Sequence, residues 1–184
     1  MKRIGVIADS HSHAADGADL PDAVLKAFEG VDLIVHCGDA GAWGGLDRLA
    51  TVAPVIGVLG GHNGQGEDPR ITGTKRVVDL DGVRTGVVFD PVREGLFTQT
   101  HPSMKPASSD LRTALSGFFG GPVDLVLHGG THVPRVSAVA GVLFVNPGSA
   151  TIPLDRPKGA PLGAVALVDC DAGVATARIV ELWR

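Results

Sequence analysis

With 184 residues, 44% of them hydrophobic and 20% charged, the chain suits one globular domain over 1–184 with a sizeable core, and leaves no room for a second. A formal net charge of −4 and a pI near 5.9 exclude a general basic field for nucleic acid, so no nucleic-acid partner is expected. No uncharged apolar run is long enough to span a bilayer, the N-terminal MKRIGVIADS is too short for a signal segment, and Cys37 and Cys170 sit inside apolar runs like buried thiols. A cytoplasmic protein without a membrane partner is the expectation.

Along the chain, residues 2–8 read as a first strand. Residues 21–29 read as a helix with Pro21 at its start and Val24, Leu25 and Phe28 on one face. A second strand over 31–37, a short helix over 44–52 and a third strand in PVIGVLG complete a β, α, β, α, β order, the signature of an α/β protein. Residues 75–80 and 83–89 flank Asp81-Gly82, a hairpin turn pair, so antiparallel strands join the parallel ones and the sheet becomes mixed. Residues 91–107 lack periodicity and read as a long loop, the kind that often serves as a lid. A helix over 108–119, a strand over 123–128, and closing strands in GVLFVNPGS, GAVALVDCDAG and VATARIVELW finish the order.

Four side chains of metal-ligating type follow these apolar runs. Asp9 and His11 come after RIGVIA, Asp39 after DLIVHC and His132 after VDLVLH. Each therefore sits where a strand ends and its loop begins, the usual ligand edge of an open α/β sheet, and that placement makes them converge. Mixed carboxylate and imidazole donors suit Mn, Fe, Zn or Ni rather than Ca or Mg.

The order Asp9-Ser10-His11, Gly38-Asp39, a Gly-rich turn GGHNGQG, Gly129-Gly130-Thr131-His132-Val133-Pro134 and Asn146-Pro147-Gly148-Ser149 resembles the calcineurin-like metallophosphoesterases. Within them it looks like the small bacterial and archaeal phosphodiesterase branch, which shares its fold with a retromer subunit. The resemblance implies a four-layer αββα sandwich, two mixed sheets packed face to face with helices outside. It also implies a metal-dependent phosphoesterase acting on a small-molecule phosphodiester.

Carried over position by position, the resemblance makes Asp9, His11, Asp39 and His132 a complete first-metal set. The second-metal positions fall on Gly61, Gly130 and Phe89, with Asp39 alone retained, so one tightly bound ion is expected rather than two. Neighbours that could rebuild the second site are His62, Asn63, Asp90, His101 and His128.

In the same reading His62 is the general acid for the leaving group, its ordinary pKa near 6.5 being suited to the task. His128 lines the site and, with Arg135, contacts the oxyanion. Asn63 and His101 complete the substrate-binding set. His36 is read as structural, and Asn146 with Gly148 as a turn supporting the site. Two other functions stay open: a single-metal enzyme on a non-phosphate organic substrate, for which Gly61, Gly130 and Phe89 would open a roomier apolar cavity, and a catalytically inert binding module. A homo-oligomer is compatible with either.

Overall fold

Alternation of side chains along the strands decides the layering. The computed structural model describes residues 1–100, 103–154 and 161–183. Its elements are β1 (Lys2–Ile7), α1 (Asp22–Ala27), β2 (Leu33–His36), α2 (Gly44–Ala50), β3 (Val55–Gly57), β4 (Lys75–Leu80), β5 (Val83–Val88), β6 (Phe97–Thr100) and β7 (Ser103–Pro106). They are followed by α3 (Leu111–Phe119), β8 (Leu125–Leu127), β9 (Arg135–Val139), β10 (Val142–Asn146), β11 (Gly163–Asp171) and β12 (Val174–Leu182). One five-stranded sheet has the order β12-β11-β1-β2-β3, a second the order β4-β5-β8-β10-β9, and β6 pairs with β7. Both larger sheets are mixed: β1, β2 and β3 are mutually parallel, as are β5, β8 and β10, while β11 pairs antiparallel with β1 and β12, β4 with β5, and β9 with β10.

Successive residues of a strand point to opposite faces. Ile4 and Val6 of β1, Val35 of β2, and Ala166, Val168 and Cys170 of β11 therefore meet Val83 and Val87 of β5, Leu125 and Leu127 of β8, and Val145 of β10 in one core between the sheets. The intervening positions face outward. Ile7, Ile34, Val165 and Leu167 pack on Val24, Phe28, Leu46 and Leu49 from α1 and α2. On the other side Val88, Val126 and Phe144 pack on Leu111, Leu115 and Phe119 of α3. The result is the αββα sandwich that the resemblance implies. Cys37 and Cys170 are free and buried.

Three local outcomes depart from the sequence reading. Part of the stretch 91–107 is a hairpin, β6 and β7, anchored by buried Leu96 and by Phe97, whose ring meets Phe144 edge-on at 5.2 Å. Helix α3 begins only at Leu111, because Asp110 accepts a hydrogen bond from Thr113 N (3.1 Å) and so caps it there. Strand β9 was not anticipated: it is a largely exposed edge strand held by its pairing with β10, so its sequence lacks a buried-strand pattern.

Close approach of helix to sheet requires Gly5, since a Cβ there would lie 2.7 Å from Phe28 Cδ1. Gly5→Ala is expected to destabilise the protein by about 1–3 kcal/mol through overpacking. Phe28→Leu in the same chain should recover part of that loss, as read by chemical denaturation.

Candidate metal centre

The parallel ladders continue past the strand ends as a set of laced loops. Asp9 N donates to Gly38 O, His11 N to Asp39 O and Ser12 N to Ala40 O, each at 3.0 Å, and Gly41 N donates to His62 O at 3.0 Å. Bridges Ser12–Gly41 and Gly41–Asn63 extend this parallel arrangement. Across the inter-sheet boundary Gly130 N donates to Asp9 Oδ2 (2.9 Å), and within the second sheet Gly129 N donates to Phe89 O (2.8 Å). The loops after β1, β2, β3, β5 and β8 are thereby fixed against one another, and the four expected ligands arrive from three of them.

Asp9, His11, Asp39 and His132 all have positive φ, at 50°, 42°, 55° and 58°. For residues with a Cβ this left-handed region is uncommon and costs about 1–2 kcal/mol apiece. Among the described residues the other non-glycine cases are Asp81, Ala140 and Ala172, each opening a hairpin turn before a glycine. The remaining left-handed backbone is concentrated on the four ligands.

Their donor atoms converge. His11 Nε2 lies 3.4 Å from His132 Nε2 and 3.6 Å from Asp39 Oδ2, and His132 Nε2 lies 3.4 Å from Asp9 Oδ1. Asp9, His11 and His132 form one group of ligand atoms within 4.8 Å of each other, and His11, Asp39 and His62 form a second. Asp9 is fully buried, and its Oδ1 accepts no hydrogen bond. A buried carboxylate oxygen without a partner is costly unless a cation faces it, so the site fits a metal on an observation independent of the motif.

The histidine tautomer fits as well. His132 Nδ1 faces Ile152 O at 2.7 Å and so carries the proton it donates, leaving Nε2 as the inward ligand atom. Without a cation the Asp9 carboxylate pulls a proton onto His132 and raises its pKa, burial working against it, whereas burial lowers that of His11.

Behind these ligands stands a buried polar layer. Gly38 N donates to His36 Nδ1 (3.2 Å), so His36 Nε2 carries the proton and meets Ser10 Oγ at 2.8 Å, and Ser10 in turn donates to Ala40 O. Ser149 Oγ donates to Asp9 O and Thr151 Oγ1 to Ser10 O, both at 2.7 Å, tying the loop after β10 to the loop after β1. Asn146 Nδ2 donates to Gly129 O (3.2 Å) and Thr131 Oγ1 (3.0 Å), and Gly148 N donates to Asn146 Oδ1 (2.9 Å). Backbone carbonyls carry no motif of their own, and apart from His36, Asn146 and Gly148 the hydrogen-bonding roles in this layer are not legible in the sequence.

The other candidates separate clearly. His62 lies beside the ligands, its backbone N donating to Asp39 Oδ1 (2.7 Å) and its Nδ1 3.2 Å from Asp39 Oδ2, with 74% of the side chain exposed. His128 is 2% exposed and lies behind the Gly129–Gly130 turn, Nδ1 3.3 Å from Gly129 O and 3.5 Å from Asn146 Nδ2, outside both groups of ligand atoms. Asn63 spends its amide on the turn, accepting from Gly60 N (3.1 Å) and donating to Gly60 O (2.8 Å). Arg135 is exposed on the edge strand β9, and His101 lies outside the described residues.

A roomier apolar cavity at Gly61, Gly130 and Phe89 is not what the fold builds. A Cβ on Gly61 would lie 3.3 Å from Arg93 Nη1, and one on Gly130 3.0 Å from Asp90 Cβ, so those spaces hold the side chains of a charged pair. Arg93 was absent from the sequence reading, although its i, i+3 spacing from Asp90 was a usable signal.

Burial drives the pKa of His36 and of His128 down from 6.5 to about 4, so both are neutral in the folded protein at pH 7. Between those values the unfolded chain binds the two protons and the folded chain does not. Stability should therefore be intact above pH 6.5 and fall as pH is lowered towards 4, by up to about 3 kcal/mol per histidine. Thermal melting against pH checks this: His36→Gln should melt lower at pH 7 yet lose less between pH 6.5 and 4.

Comparison with known proteins agrees with this geometry. Residues 1–173 match the model of the calcineurin-like phosphoesterase superfamily domain. A protein of Methanocaldococcus jannaschii named a probable metallophosphoesterase is 34% identical over 151 residues, covering 82% of this chain and 69% of its own length. Among solved structures, Vps29 of Entamoeba histolytica complexed with zinc superposes with a TM-score of 0.66 at 21% identity, over 97% of this chain and 98% of that one. A protein described as a novel archaeal phosphodiesterase superposes with a TM-score of 0.63 at 19% identity, over 97% and 99% of the two chains. The family model spans nearly the whole chain, and the chain belongs to the calcineurin-like phosphoesterase superfamily.

Proposed function

We propose that this protein hydrolyses phosphodiesters of small molecules with one tightly held divalent transition ion, ligated by Asp9, His11, Asp39 and His132. The observation that carries the reading is the clustering of His11 Nε2 and His132 Nε2 with the buried, unbonded Asp9 Oδ1, and the approach of Asp39 Oδ2 to within 3.6 Å of the same His11 Nε2. A divalent ion there supplies Lewis acidity, lowering the pKa of bound water and neutralising phosphoryl charge. Zinc is one suitable ion for two imidazoles and two carboxylates, and the zinc complex of the Entamoeba protein supports including it beside Mn, Fe and Ni.

The chain's own residues account for the rest of the mechanism. Ile152 O holds His132 in the tautomer that presents Nε2, and the Ser149 and Thr151 hydroxyls hold the loop carrying Asp9 and His11. His62, with Nδ1 turned to Asp39 and most of its ring in solvent, has Nε2 free to give a proton to the departing alkoxide. His128 acts as a positioning residue: buried and neutral, it lies against the carbonyl of Gly129 and the amide of Asn146, where the His132 loop turns.

The test is elemental analysis of protein purified without chelator, together with hydrolysis of bis(p-nitrophenyl) phosphate and of a diester with an alkyl leaving group. One ion per chain is expected, with activity abolished by chelation and restored by Mn or Zn. His132→Ala should lose the ion. His62→Ala should keep it and lose about 10²–10⁴-fold in kcat on the alkyl diester, but far less on the p-nitrophenyl ester, whose leaving group needs no proton. Failure of the metal-loaded protein to cleave any phosphoester would end this reading.

A further inference from the structure

We propose that Arg93 is the second positive charge of this site, a guanidinium that binds the phosphoryl oxygens of the substrate; the inference rests on the phosphoester reading above. Phe89 and Gly61 both border Arg93 and Gly130 borders its partner Asp90, the positive φ of Gly130 (86°) being a further reason for glycine there. Arg93 Cζ lies over the Phe89 ring, 5.9 Å from its centroid. Arg93 Nη1 occupies the space beside Gly61, where a Cβ would lie 3.3 Å from it and 3.7 Å from Asp39 Oδ1. Asp90, whose Oδ2 is 3.6 Å from Arg93 Nε, occupies the space beside Gly130, where a Cβ would lie 3.0–3.3 Å from the Asp90 side chain. Gly61 does not have a positive φ, so its glycine is explained by the room it leaves and not by backbone conformation.

Arg93 is aimed but not spent. Asp90 Oδ1 accepts from Val92 N (2.9 Å) and Arg93 N (3.4 Å), which fixes the turn at the end of β5 and directs the arginine across Phe89 towards Asp39. The ion-pair contact runs from Nε to Asp90 Oδ2 at 3.6 Å, beyond hydrogen-bond length, and 69% of the arginine side chain is exposed, which leaves its Nη donors accessible to an anion. An exposed pair of this length contributes little to stability, which makes a structural reason for Arg93 weak. A phosphodiester, by contrast, gains charge on its non-bridging oxygens during attack, and a planar guanidinium matches two such oxygens at once. The arginine also fills the space a second cation would need and repels it.

The experiment uses the full chain loaded with Mn or Zn, and inorganic phosphate as the probe. Calorimetric binding of phosphate, metal content and diester hydrolysis are measured for wild type, Arg93→Ala and Arg93→Lys. Arg93→Ala is expected to keep one ion and the wild-type melting temperature, while its phosphate affinity falls about tenfold or more and kcat/KM falls with it. Arg93→Lys should be intermediate, and added guanidinium ion should restore activity to Arg93→Ala only. Unchanged phosphate affinity in Arg93→Ala, loss of its ion, or two ions in the wild type would each overturn the role of Arg93. If wild type hydrolyses phosphodiesters while Arg93→Ala behaves identically, the arginine inference alone fails; if wild type neither binds phosphate nor hydrolyses phosphoesters, both fail.

Discussion

Holding four candidate ligands in left-handed backbone is the constraint on which the rest of this site depends. Asp9, His11, Asp39 and His132 each adopt a conformation that an isolated chain would avoid, and they do so on loops whose parent strands are only three to six residues long. The strain is offset by the core between the sheets and by loop-to-loop hydrogen bonds that continue the parallel ladders beyond the strand ends. Both sheets contribute, since Gly130 of the second closes on Asp9 of the first. The packing of one sheet on the other is therefore a condition of the metal centre as well as of the fold.

Electrostatics follow from that geometry. Asp9 is buried with one oxygen committed to Gly130 N and the other left open toward His132. Such a carboxylate favours a positive partner, and in the metal-free protein it raises the pKa of His132. Proton and metal thus compete for the same nitrogen. The buried histidines behind the ligands have the opposite character. His36 and His128 are kept neutral by burial, so they serve as fixed hydrogen-bonding groups and add no repulsion to a cationic centre.

The Asp90–Arg93 pair changes how the departures from the family pattern are understood. Taken singly, Gly61, Gly130 and Phe89 look like losses; taken together, Gly61 and Phe89 border one arginine and Gly130 borders the aspartate that pairs with it. A guanidinium differs from a metal ion in being planar, directional and unable to activate water. In the proposed site a bound ion would activate water, and the arginine would orient the phosphoryl group.

The sequence by itself determined a good part of this. Apolar runs ending in Asp9-Ser10-His11, Gly38-Asp39 and Gly130-Thr131-His132 sufficed for the α/β class and for placing these side chains at strand ends, while bringing His132 to Asp9 required the packing of the second sheet on the first. The turn at Asp81-Gly82 was equally legible, a local property of two residues. Tertiary structure decided what depends on distant partners. The β6–β7 hairpin exists because Leu96 and Phe97 find the α3 layer, and β9 exists because β10 offers it an edge. The orientation of His132 comes from a carbonyl twenty residues away, and the burial of His128 from Phe144 and Asn146 on the next strand. Arg93 lies beside the site because Gly61 leaves it room and Phe89 lies under its guanidinium, and complementarity of that kind is a property of space, which the order of residues along one chain does not display.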